Sequence, residues 1–356
     1  MMPISIFGGA KFRQSLELIT IHVYKRYLEI VMSNSQRICN ALILLFSIAM
    51  LDHAGAQTFP DRPITLVVPN PPGGLVDTSA RLLSEPLTRV IGQPVIVDNK
   101  PGASGNLAYQ YVAKAKPDGY TLLISYSGYH VGNPSLMDKL PWDPIKDFSP
   151  VALLTVSTNV IAVHPSVPVN NLKELIAYAK ANPGKLNYAS QGNGSVSHIG
   201  TEIFKQNTGI DLVHVPYKGS GPAVQDVLAG QVQVFITTPP SVMQHVQSGK
   251  LKGLAVTGKS RHPGMPNVPT TTEAGLASFQ LESWVALYAP AGTPIPVVTK
   301  LTDSVKKSLA LPEIKERADA AGVELRYLAP TAMDALLKKE MPYWDKAIKS
   351  ANIKLD

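Results

Sequence analysis

Two glycine-rich turns stand out because each follows a short apolar run and precedes a stretch of helical spacing. The first lies in VVPNPPGGLVDTSARLL, residues 67–83, and contains Pro72, Gly73 and Gly74. Glycines let the backbone approach a bound molecule closely, and the free N–H groups at a helix start attract an anion. The turn is therefore a candidate site for an anionic ligand, although a tight connection with Asp77 as helix N-cap explains the same residues equally well.

The second turn repeats this arrangement in LNYASQGNGSVSHIGTEIF, residues 186–204. Its serine hydroxyls can donate hydrogen bonds, and the backbone N–H groups at the following helix start are again unpaired. The turn contains Ser190, Gly192, Gly194 and Ser195, and His198 lies one turn into the helix. The segment is not a dinucleotide fingerprint, because QGNGSVS has no third glycine at the required place.

Ser195 and His198 also raise the question of a nucleophile and its base. Ser195 lies in GNGSV, which is not the G-x-S-x-G pattern of a nucleophile elbow, and no acidic partner is specified. A serine at a helix start with a nearby histidine is more typical of capping and ligand binding. The sequence also has no H-E-x-x-H motif, clustered histidine ligands or phosphate loop. We therefore predict a binding protein with no catalytic residue, no metal and no cofactor.

Strand and helix patterns alternate along the chain and place both turns at the ends of strands. Short β-branched runs such as Ile64–Val68 are followed by helical periodicity, as in residues 78–90. The alternation predicts an α/β fold with mainly parallel sheets flanked by helices. Proline-rich passages at 140–168 and 263–270 break the regular repeat of a barrel, which favours two lobes. Residues 281–288 are placed to return the chain to the first lobe, and two amphipathic helices are expected after them.

The N-terminal segment has the pattern of an export signal. Arg37 precedes an apolar run at 38–51, and the small residues Ala54 and Ala56 follow it, which is the order of a secretory signal peptide. The apolar run is shorter than the roughly 20 residues that span a membrane, so a retained anchor is the less favoured alternative. We expect translation from Met32, cleavage after Ala56 and a periplasmic product.

Charge and cysteine content exclude several classes of function. Lysine and arginine number 33 against 26 aspartate and glutamate residues, which gives a net charge of +7. The positive charges form no run of five or more, so nucleic-acid binding is not expected, whereas a mild positive field favours anionic ligands. The single cysteine, Cys39, lies in the leader, so the exported chain has no disulfide and no cysteine metal site.

Seven segments, in order along the chain, resemble one known family. They are VPNPPGGLVD, VDNKPGASGN, KPDGYTLL, NYASQGNGSVSHI, VPYKGSGPAVQDVLAGQVQV, NVPTTTEAG and YAPAGTP. Each motif is weak alone, but together, from about Phe59 to Asp356, they resemble the Bug family, the periplasmic receptors of tripartite tricarboxylate transporters. The resemblance implies a Venus-flytrap fold in which two α/β lobes close over a small organic carboxylate.

The expected organisation is a leader at 1–56, a first lobe at 57–158 plus 282–356, and a second lobe at 159–281. By the resemblance, the two turns bind the ligand carboxylate from facing walls, and VPYKGSG adds a further cleft loop. In that loop Lys218 is a less favoured ligand contact than its neighbours, because a lysine there equally well faces solvent. The expected ligand-binding residues are Pro72, Gly73, Gly74, Asp77, Ser190, Gly192, Gly194, Ser195, His198, Tyr217, Gly219, Ser220 and Thr237.

Two departures from the family pattern bear on ligand choice. Asn70 stands where many relatives have an aromatic residue, so this wall is expected to be more polar. Thr237 and Thr238 stand where relatives often carry an acidic residue, which argues against an amino-acid ligand. A di- or tricarboxylate, or an aromatic carboxylate, fits better. The distal end of the ligand is expected beside Ser125, Tyr126, Ser127 and Tyr129, unless these side chains pack at the hinge.

The predicted function is capture of a carboxylate by hinge closure and its delivery to the membrane subunits of a tripartite transporter. We expect a monomer. Two alternatives stay open at this point. In the first alternative, the ligand-bound protein presents its ligand to a sensor of a signalling system. In the second, which is less favoured, the chain is a periplasmic enzyme that acts on a carboxylate.

Overall fold

A computed structural model describes residues 22–27, 31–32, 59–350 and 353 of the chain. It divides into a unit at Met1–Thr58, in which residues 22–27 are helical, and a unit at Phe59–Asp356. The predicted signal segment at 37–56 and its cleavage position lie outside the described residues. Within the described residues, no helix is both long and apolar enough to cross a membrane.

Strands and helices alternate along most of the described chain. The strands are β1 (Ile64–Val68), β2 (Val95–Asn99), β3 (Thr121–Tyr126), β4 (Phe148–Thr158), β5 (Val160–Val163), β6 (Asn187–Ser190), β7 (Val213–Pro216), β8 (Val234–Thr237), β9 (Lys252–Val256), β10 (Glu282–Pro290) and β11 (Glu324–Leu328). The helices are α1 (Leu75–Ile91), α2 (Asn106–Ala113), α3 (Asn133–Leu136), α4 (Leu172–Ala181), α5 (Val196–Thr208), α6 (Ser220–Leu228), α7 (Pro239–Gln247), α8 (Ile295–Leu309), α9 (Pro312–Ala321) and α10 (Pro330–Ser350). A 3-10 turn, Ala103–Gly105, precedes α2, and a π-helical turn, Gly128–Gly132, precedes α3.

Two mixed sheets form the two lobes, with strand orders β11-β4-β10-β3-β1-β2 and β7-β6-β8-β5-β9. In the first sheet β1 is parallel to β2 and β3, whereas β10 is antiparallel to β3 and β4. In the second sheet β6 is parallel to β7 and β8, whereas β5 is antiparallel to β8 and β9. The two-lobed α/β fold is confirmed. The sheets are mixed, because β10 and β11 in the first sheet and β5 in the second run opposite to the other strands of their sheets.

Helix α1 illustrates how apolar spacing positions the first turn. Ala80, Leu83 and Leu87 are fully buried, as their helical spacing predicts. The helix begins earlier than the periodicity suggests, with Gly74 as its N-cap. Asp77 therefore lies inside the first helical turn and is not the N-cap, which corrects the alternative interpretation of that residue.

The C-terminal part differs from its prediction. Three helices, α8, α9 and α10, follow β10, and an additional strand, β11, lies between α9 and α10. Strand β11 has the sequence ELRYL, is only partly buried, and pairs with β4 at the edge of the first sheet. A partly exposed edge strand lacks clear alternation of apolar and polar residues, which explains why the sequence pattern did not indicate it.

The chain passes between the sheets at two adjacent points. Strand β4 ends at Thr158 and β5 begins at Val160, so Asn159 alone separates strands of different sheets. The backbone N–H of Asn159 donates to Thr257 Oγ1 at 2.8 Å, and its side-chain amide donates to the Leu281 carbonyl at 3.3 Å. Leu281 immediately precedes β10, so the outgoing and returning segments are hydrogen-bonded to each other.

Candidate functional site

A cavity of about 420 Å³, called the cleft below, lies among loops that follow strands of both sheets. The loops of the first lobe follow β1, β2 and β3, and those of the second follow β6 and β7. The lining residues are Pro69, Asn70, Pro71, Pro101, Gly102, Ala103, Ser104, Gly105, Tyr129, Gln191, Gly192, Tyr217, Lys218 and Gly219. The carboxyl ends of parallel strands are where open α/β sheets bind ligands, and the volume suits a small molecule.

Asp77 organises the loop after β1. Its buried carboxylate accepts hydrogen bonds from the Gly73 N–H at 3.1 Å, Arg81 Nε at 3.0 Å and Asn99 Nδ2 at 3.0 Å. The Asn99 side chain also donates to the Asn70 carbonyl at 2.9 Å. The Arg81 guanidinium compensates the buried negative charge, and this pairing raises the pKa of Arg81. Asp77 is buried and is not among the residues that line the cleft, so it shapes the loop from outside the cleft.

The loop after β6 is closed on itself by hydrogen bonds. Ser195 is the N-cap of α5, where its Oγ accepts from the His198 N–H at 3.3 Å and donates to the Gly192 carbonyl at 2.6 Å. The Gly192 N–H donates to Ser190 Oγ, and the Gly194 N–H donates to His198 Nδ1, each at 3.2 Å. The His198 N–H, one of the helix-start groups that the sequence marked as free for an anion, therefore has an acceptor within the loop.

Three stacked rings support this loop. The ring centroids of His198 and His214 are 4.1 Å apart, and those of His214 and Tyr188 are 4.8 Å apart. The His214 Nε2 lies 2.7 Å from Ser190 Oγ. Burial lowers the pKa of His198 and of His214 to about 4. Both rings are therefore neutral at neutral pH, which leaves the Nδ1 of His198 free to accept the Gly194 N–H.

The loop after β2 is a wall that the sequence analysis did not assign to the site. Ala103 and Ser104 have φ values of 47° and 52°, and the flanking Gly102 and Gly105 are also at positive φ. Non-glycine residues in this region are strained, and such strain clusters at functional sites. Asn133 Nδ2 donates to the Ser104 carbonyl at 2.9 Å and holds the strained turn in place. The sequence feature that could have indicated this wall is NKPGASG, a glycine-containing loop that directly follows a strand.

Loops of the two lobes pack directly against each other beside the cleft. A Cβ atom at Gly219 would lie 2.9 Å from Cδ of Pro71, so only glycine fits this contact between the lobes. A Cβ atom at Gly128 would lie 2.9 Å from the backbone nitrogen of Val196, the first residue of α5. The turn after β3 therefore covers the start of α5, which the sequence analysis had assigned to the ligand.

The cleft is electropositive. Lys218 is the only charged residue among those that line it, all of which the structure describes. Helix α6 begins at Ser220, and its N-cap Gly219 makes no side-chain cap hydrogen bond. The first N–H groups of a helix lack intrahelical acceptors and carry partial positive charge. Lys218 and the start of α6 therefore give one wall of the cleft a preference for anions.

The expected site residues divide into two groups. Gly192, Tyr217 and Gly219 line the cleft. The remaining expected residues, which lie outside the lining, are Pro72, Gly73, Gly74, Asp77, Ser190, Gly194, Ser195, His198, Ser220 and Thr237. Thr237 contacts a lining residue, because its Oγ1 accepts a hydrogen bond from Gln191 Nε2 at 3.1 Å.

The tyrosine-rich segment after β3 contributes one residue to the cleft. Tyr129 lines it, whereas Tyr126 is buried and packs edge-on against Tyr129. Ser125 contacts the Tyr109 hydroxyl at 2.9 Å, and Ser127 accepts a hydrogen bond from the backbone N–H at residue 284. The serines of this segment are therefore part of the first-lobe core.

Two larger hollows, of about 680 and 690 Å³, lie outside the cleft. In the first, Arg261 pairs with Glu273, and Lys315 pairs with Asp319. The second lies against α2 and is lined by first-lobe residues alone. Neither combines loops at the ends of parallel strands from both lobes, so the cleft is the stronger candidate site.

Two α/β lobes, joined by adjacent crossings and enclosing a cleft of ligand size, define a periplasmic binding protein fold. The family model described as the tripartite tricarboxylate transporter family receptor matches residues 79–353. The chain belongs to this family, which confirms the resemblance carried by the seven sequence segments. Family and fold are those of substrate-binding receptors rather than enzymes, in agreement with the prediction that the chain is not an enzyme.

Curated relatives match most of the chain. It is 38% identical over 293 residues to a Pseudomonas protein described as the UPF0065 protein in the tcbD-tcbE intergenic region, covering 82% of this chain and 87% of that protein. It is 36% identical over 301 residues to protein BugT of Bordetella pertussis, covering 84% of this chain and 92% of BugT.

Solved structures show the same fold. A protein from R. palustris solved with adipate is 36% identical, with a TM-score of 0.80, covering 83% of this chain and 99% of that one. MatC from Rhodopseudomonas palustris, solved with bound malate, is 36% identical with a TM-score of 0.77, covering 82% of this chain and 100% of MatC.

Proposed function

We propose that this protein is a periplasmic receptor that binds a small organic carboxylate in the cleft and delivers it to the membrane subunits of a tripartite transporter. The observation that carries the proposal is the electropositive cleft, with Lys218 and the start of α6 on its wall and no acidic lining residue. The adipate and malate found in two similar structures support a di- or tricarboxylate, and an aromatic acid is the other class that we propose.

The ligand carboxylate would lie against the wall formed by Gly192, Lys218 and Gly219. Hydrogen bonds to a charged group are each worth about 1.5–3 kcal/mol, so a few of them give useful affinity. The loops after β1 and β2 would enclose the rest of the ligand from the first lobe. Since both walls contact the ligand only when the lobes are closed, binding shifts the population toward the closed form.

We further propose that the first lobe comprises residues 57–158 plus 282–356 and the second lobe residues 159–281. The lobes close by rotating about a hinge at the crossing, near Asn159 and Leu281. The hydrogen bond between these two residues supports this position. Closure within one chain completes the cleft, so a monomer suffices. Size-exclusion chromatography with light scattering, with and without ligand, checks the monomer.

The expected residues outside the lining take positioning roles in this proposal. Asp77 holds the loop after β1 through Gly73 and Asn99. Ser195 and His198 hold the loop that presents Gly192. Changes at these positions should weaken binding by moving lining residues rather than by removing a direct contact.

Thermal-shift screening of carboxylates, followed by calorimetry, tests carboxylate binding. A ligand that binds only the folded state raises the melting temperature. The variant Lys218→Gln should weaken binding of the best acid about ten-fold or more, because it removes a charge-assisted contact. Lys315→Gln, at a lysine paired with Asp319 outside the cleft, is the matched control. Equal affinities of the two variants would refute the placement of the carboxylate.

Delivery to a transporter is tested by uptake of the radiolabelled acid in cells with and without the receptor. Loss of uptake on deletion, restored by the wild-type chain, is expected. Unchanged uptake with an altered transcriptional response to the acid would instead support the sensor alternative. Peptide sequencing of the periplasmic form tests cleavage after Ala56, and a precursor peptide from residues 12–25 would contradict translation from Met32.

A further inference from the structure

Asn70 is a residue of the cleft wall whose side chain carries a buried hydrogen-bond acceptor. The residue lies in the loop directly after β1, lines the cleft and is only 6% exposed. Its Nδ2 donates to the Tyr129 hydroxyl at 3.2 Å. Its Oδ1 has no hydrogen-bond partner among the described residues. A buried acceptor without a partner is unfavourable, and at a cavity wall a bound molecule can supply the missing donor.

The Asn70 side chain is held in this position by its surroundings. Asn99 fixes the backbone of Asn70 through the hydrogen bond to its carbonyl. Tyr129, the partner of the side-chain amide, packs against Gly105, where a Cβ atom would lie 2.4 Å from the ring. The Tyr126 ring packs edge-on against the Tyr129 ring, with ring centroids 5.2 Å apart. The amide and the phenol therefore form a preorganised polar pair.

This pair offers one acceptor and one donor. Burial raises the pKa of Tyr129 to about 12, so its hydroxyl keeps its proton at neutral pH. The Tyr129 hydroxyl can therefore donate to a ligand oxygen while Asn70 Oδ1 accepts from the same ligand group. A ligand hydroxyl matches both requirements, since it donates one hydrogen bond and accepts others.

An ammonium group matches the site poorly. It would donate to Asn70 Oδ1, but it cannot accept from Tyr129. It would also need a negative charge nearby, because a buried unpaired cation is strongly destabilised. The residues that line the cleft include Lys218 and no aspartate or glutamate. The charge of the cleft therefore opposes an amino substituent and leaves a hydroxyl as the fitting donor.

We propose that Asn70, together with Tyr129, makes the cleft selective for carboxylates that carry a hydroxyl group on their carbon chain or ring. This inference rests on the proposed carboxylate function and names the substrate class more closely. Asn70 acts as a specificity residue, and the wall at Lys218 and Gly219 holds the carboxylate.

Matched pairs of acids that differ by one hydroxyl test the selectivity. Calorimetry on the full exported chain would compare succinate with malate, tricarballylate with citrate, and benzoate with 3-hydroxybenzoate. In at least one pair the hydroxylated acid should bind about ten-fold more tightly, the scale of one well-made hydrogen bond. Equal affinity within every pair that binds, or tighter binding of the unhydroxylated acids, overturns the inference.

The variant Asn70→Leu removes the acceptor while keeping a similar side-chain volume. It should abolish the preference, so that the two acids of a pair bind with about equal affinity. Asn182→Leu, the same change at a residue that bonds the Tyr178 carbonyl on α4, should keep the preference. Tyr129→Phe removes the donor of the pair and should also reduce it. Retention of the full preference by both Asn70→Leu and Tyr129→Phe, each shown to be folded by its melting transition, contradicts the assignment.

The comparison within the wild-type protein needs no variant, so a misfolded Asn70→Leu does not leave the inference open. Failure of the proposed function has a different signature. If neither these six acids nor any acid of the thermal-shift screen binds, the carboxylate function itself fails, and the hydroxyl selectivity fails with it. If the acids bind without regard to the hydroxyl, the carboxylate function stands and only the role of Asn70 is wrong.

Discussion

The carboxylate of Asp77 and the side-chain amide of Asn99 are hydrogen-bonded at 3.0 Å, which joins the loop after β1 to the end of β2. The two strands are parallel neighbours, so their following loops lie side by side at one edge of the sheet. Through this contact a residue outside the cleft lining fixes the relative position of two of its walls.

Replacing Asp77 by alanine should lower the free energy of unfolding by about 2–3 kcal/mol, because the donors at Gly73, Arg81 and Asn99 lose a buried, charged acceptor. Urea unfolding measures this loss, and ligand affinity should fall with it. Glu85→Gln, on the same helix at the exposed pair with Arg317, should cost less than about 1 kcal/mol. Similar losses for both variants would show that Asp77 has no special role.

Gly105 and Gly92 provide a matched pair at the same backbone conformation, since both have φ of +82°. A Cβ atom at Gly92 would meet nothing within 4 Å, whereas one at Gly105 would lie 2.4 Å from the Tyr129 ring. Gly92→Ala should therefore cost about 1 kcal/mol of stability from backbone strain alone. Gly105→Ala should cost roughly 1–3 kcal/mol more and weaken ligand binding, because Tyr129 must move. Calorimetry and urea unfolding on both variants check this, and unchanged affinity in Gly105→Ala would count against Tyr129 as a cleft residue.

Ser195 and Asn171 are both N-caps whose side chains accept a backbone hydrogen bond. Either residue replaced by alanine should lower the free energy of unfolding by about 1 kcal/mol. Only Ser195→Ala should also weaken ligand binding, because Ser195 Oγ holds the Gly192 carbonyl in the cleft loop. Affinity measured at equal stability loss separates the two effects, and a parallel drop in both variants would indicate a general loss of folding instead.

The stacked pair His198 and His214 predicts how stability depends on pH. Burial lowers both pKa values from 6.5 to about 4, and burial does the same at His130 in the first lobe. Between pH 6.5 and about pH 4 the histidines of the unfolded chain bind protons that those of the folded chain do not. The free energy of unfolding therefore falls as the pH is lowered through this window. The slope is up to about 1.4 kcal/mol per pH unit for each histidine.

Urea unfolding between pH 7 and pH 4.5 measures this slope. The variant His214→Phe keeps a ring between Tyr188 and His198 but removes one titrating group, so its stability should fall less steeply with acidification. Identical slopes for the wild type and His214→Phe would mean that His214 is not held neutral in the folded protein.

Local patterns determined most of the secondary structure and the turns. Apolar spacing indicated α1, because the amphipathic face of a helix depends on residues that are close in sequence. The proline-rich passages favoured two lobes, and the ordered motifs identified the family, which implies the same fold. Strand β11 was missed, because a partly exposed edge strand is defined by its partner β4 rather than by its own residues.

The composition of the cleft was decided by tertiary structure. The family resemblance implied that Ser195 and His198 face the ligand. In the structure Ser195 Oγ and His198 Nδ1 make hydrogen bonds within their own loop, and the turn at Gly128 covers the start of α5. Asn70 and the loop at 101–105 became cleft walls because β1 and β2 are parallel neighbours, a long-range pairing that no local pattern encodes. The sequence by itself thus determined which segments are strands, helices and glycine turns. Whether an N–H or an amide oxygen in those turns is free for a ligand depends on acceptors and donors that only the folded chain brings within hydrogen-bonding distance.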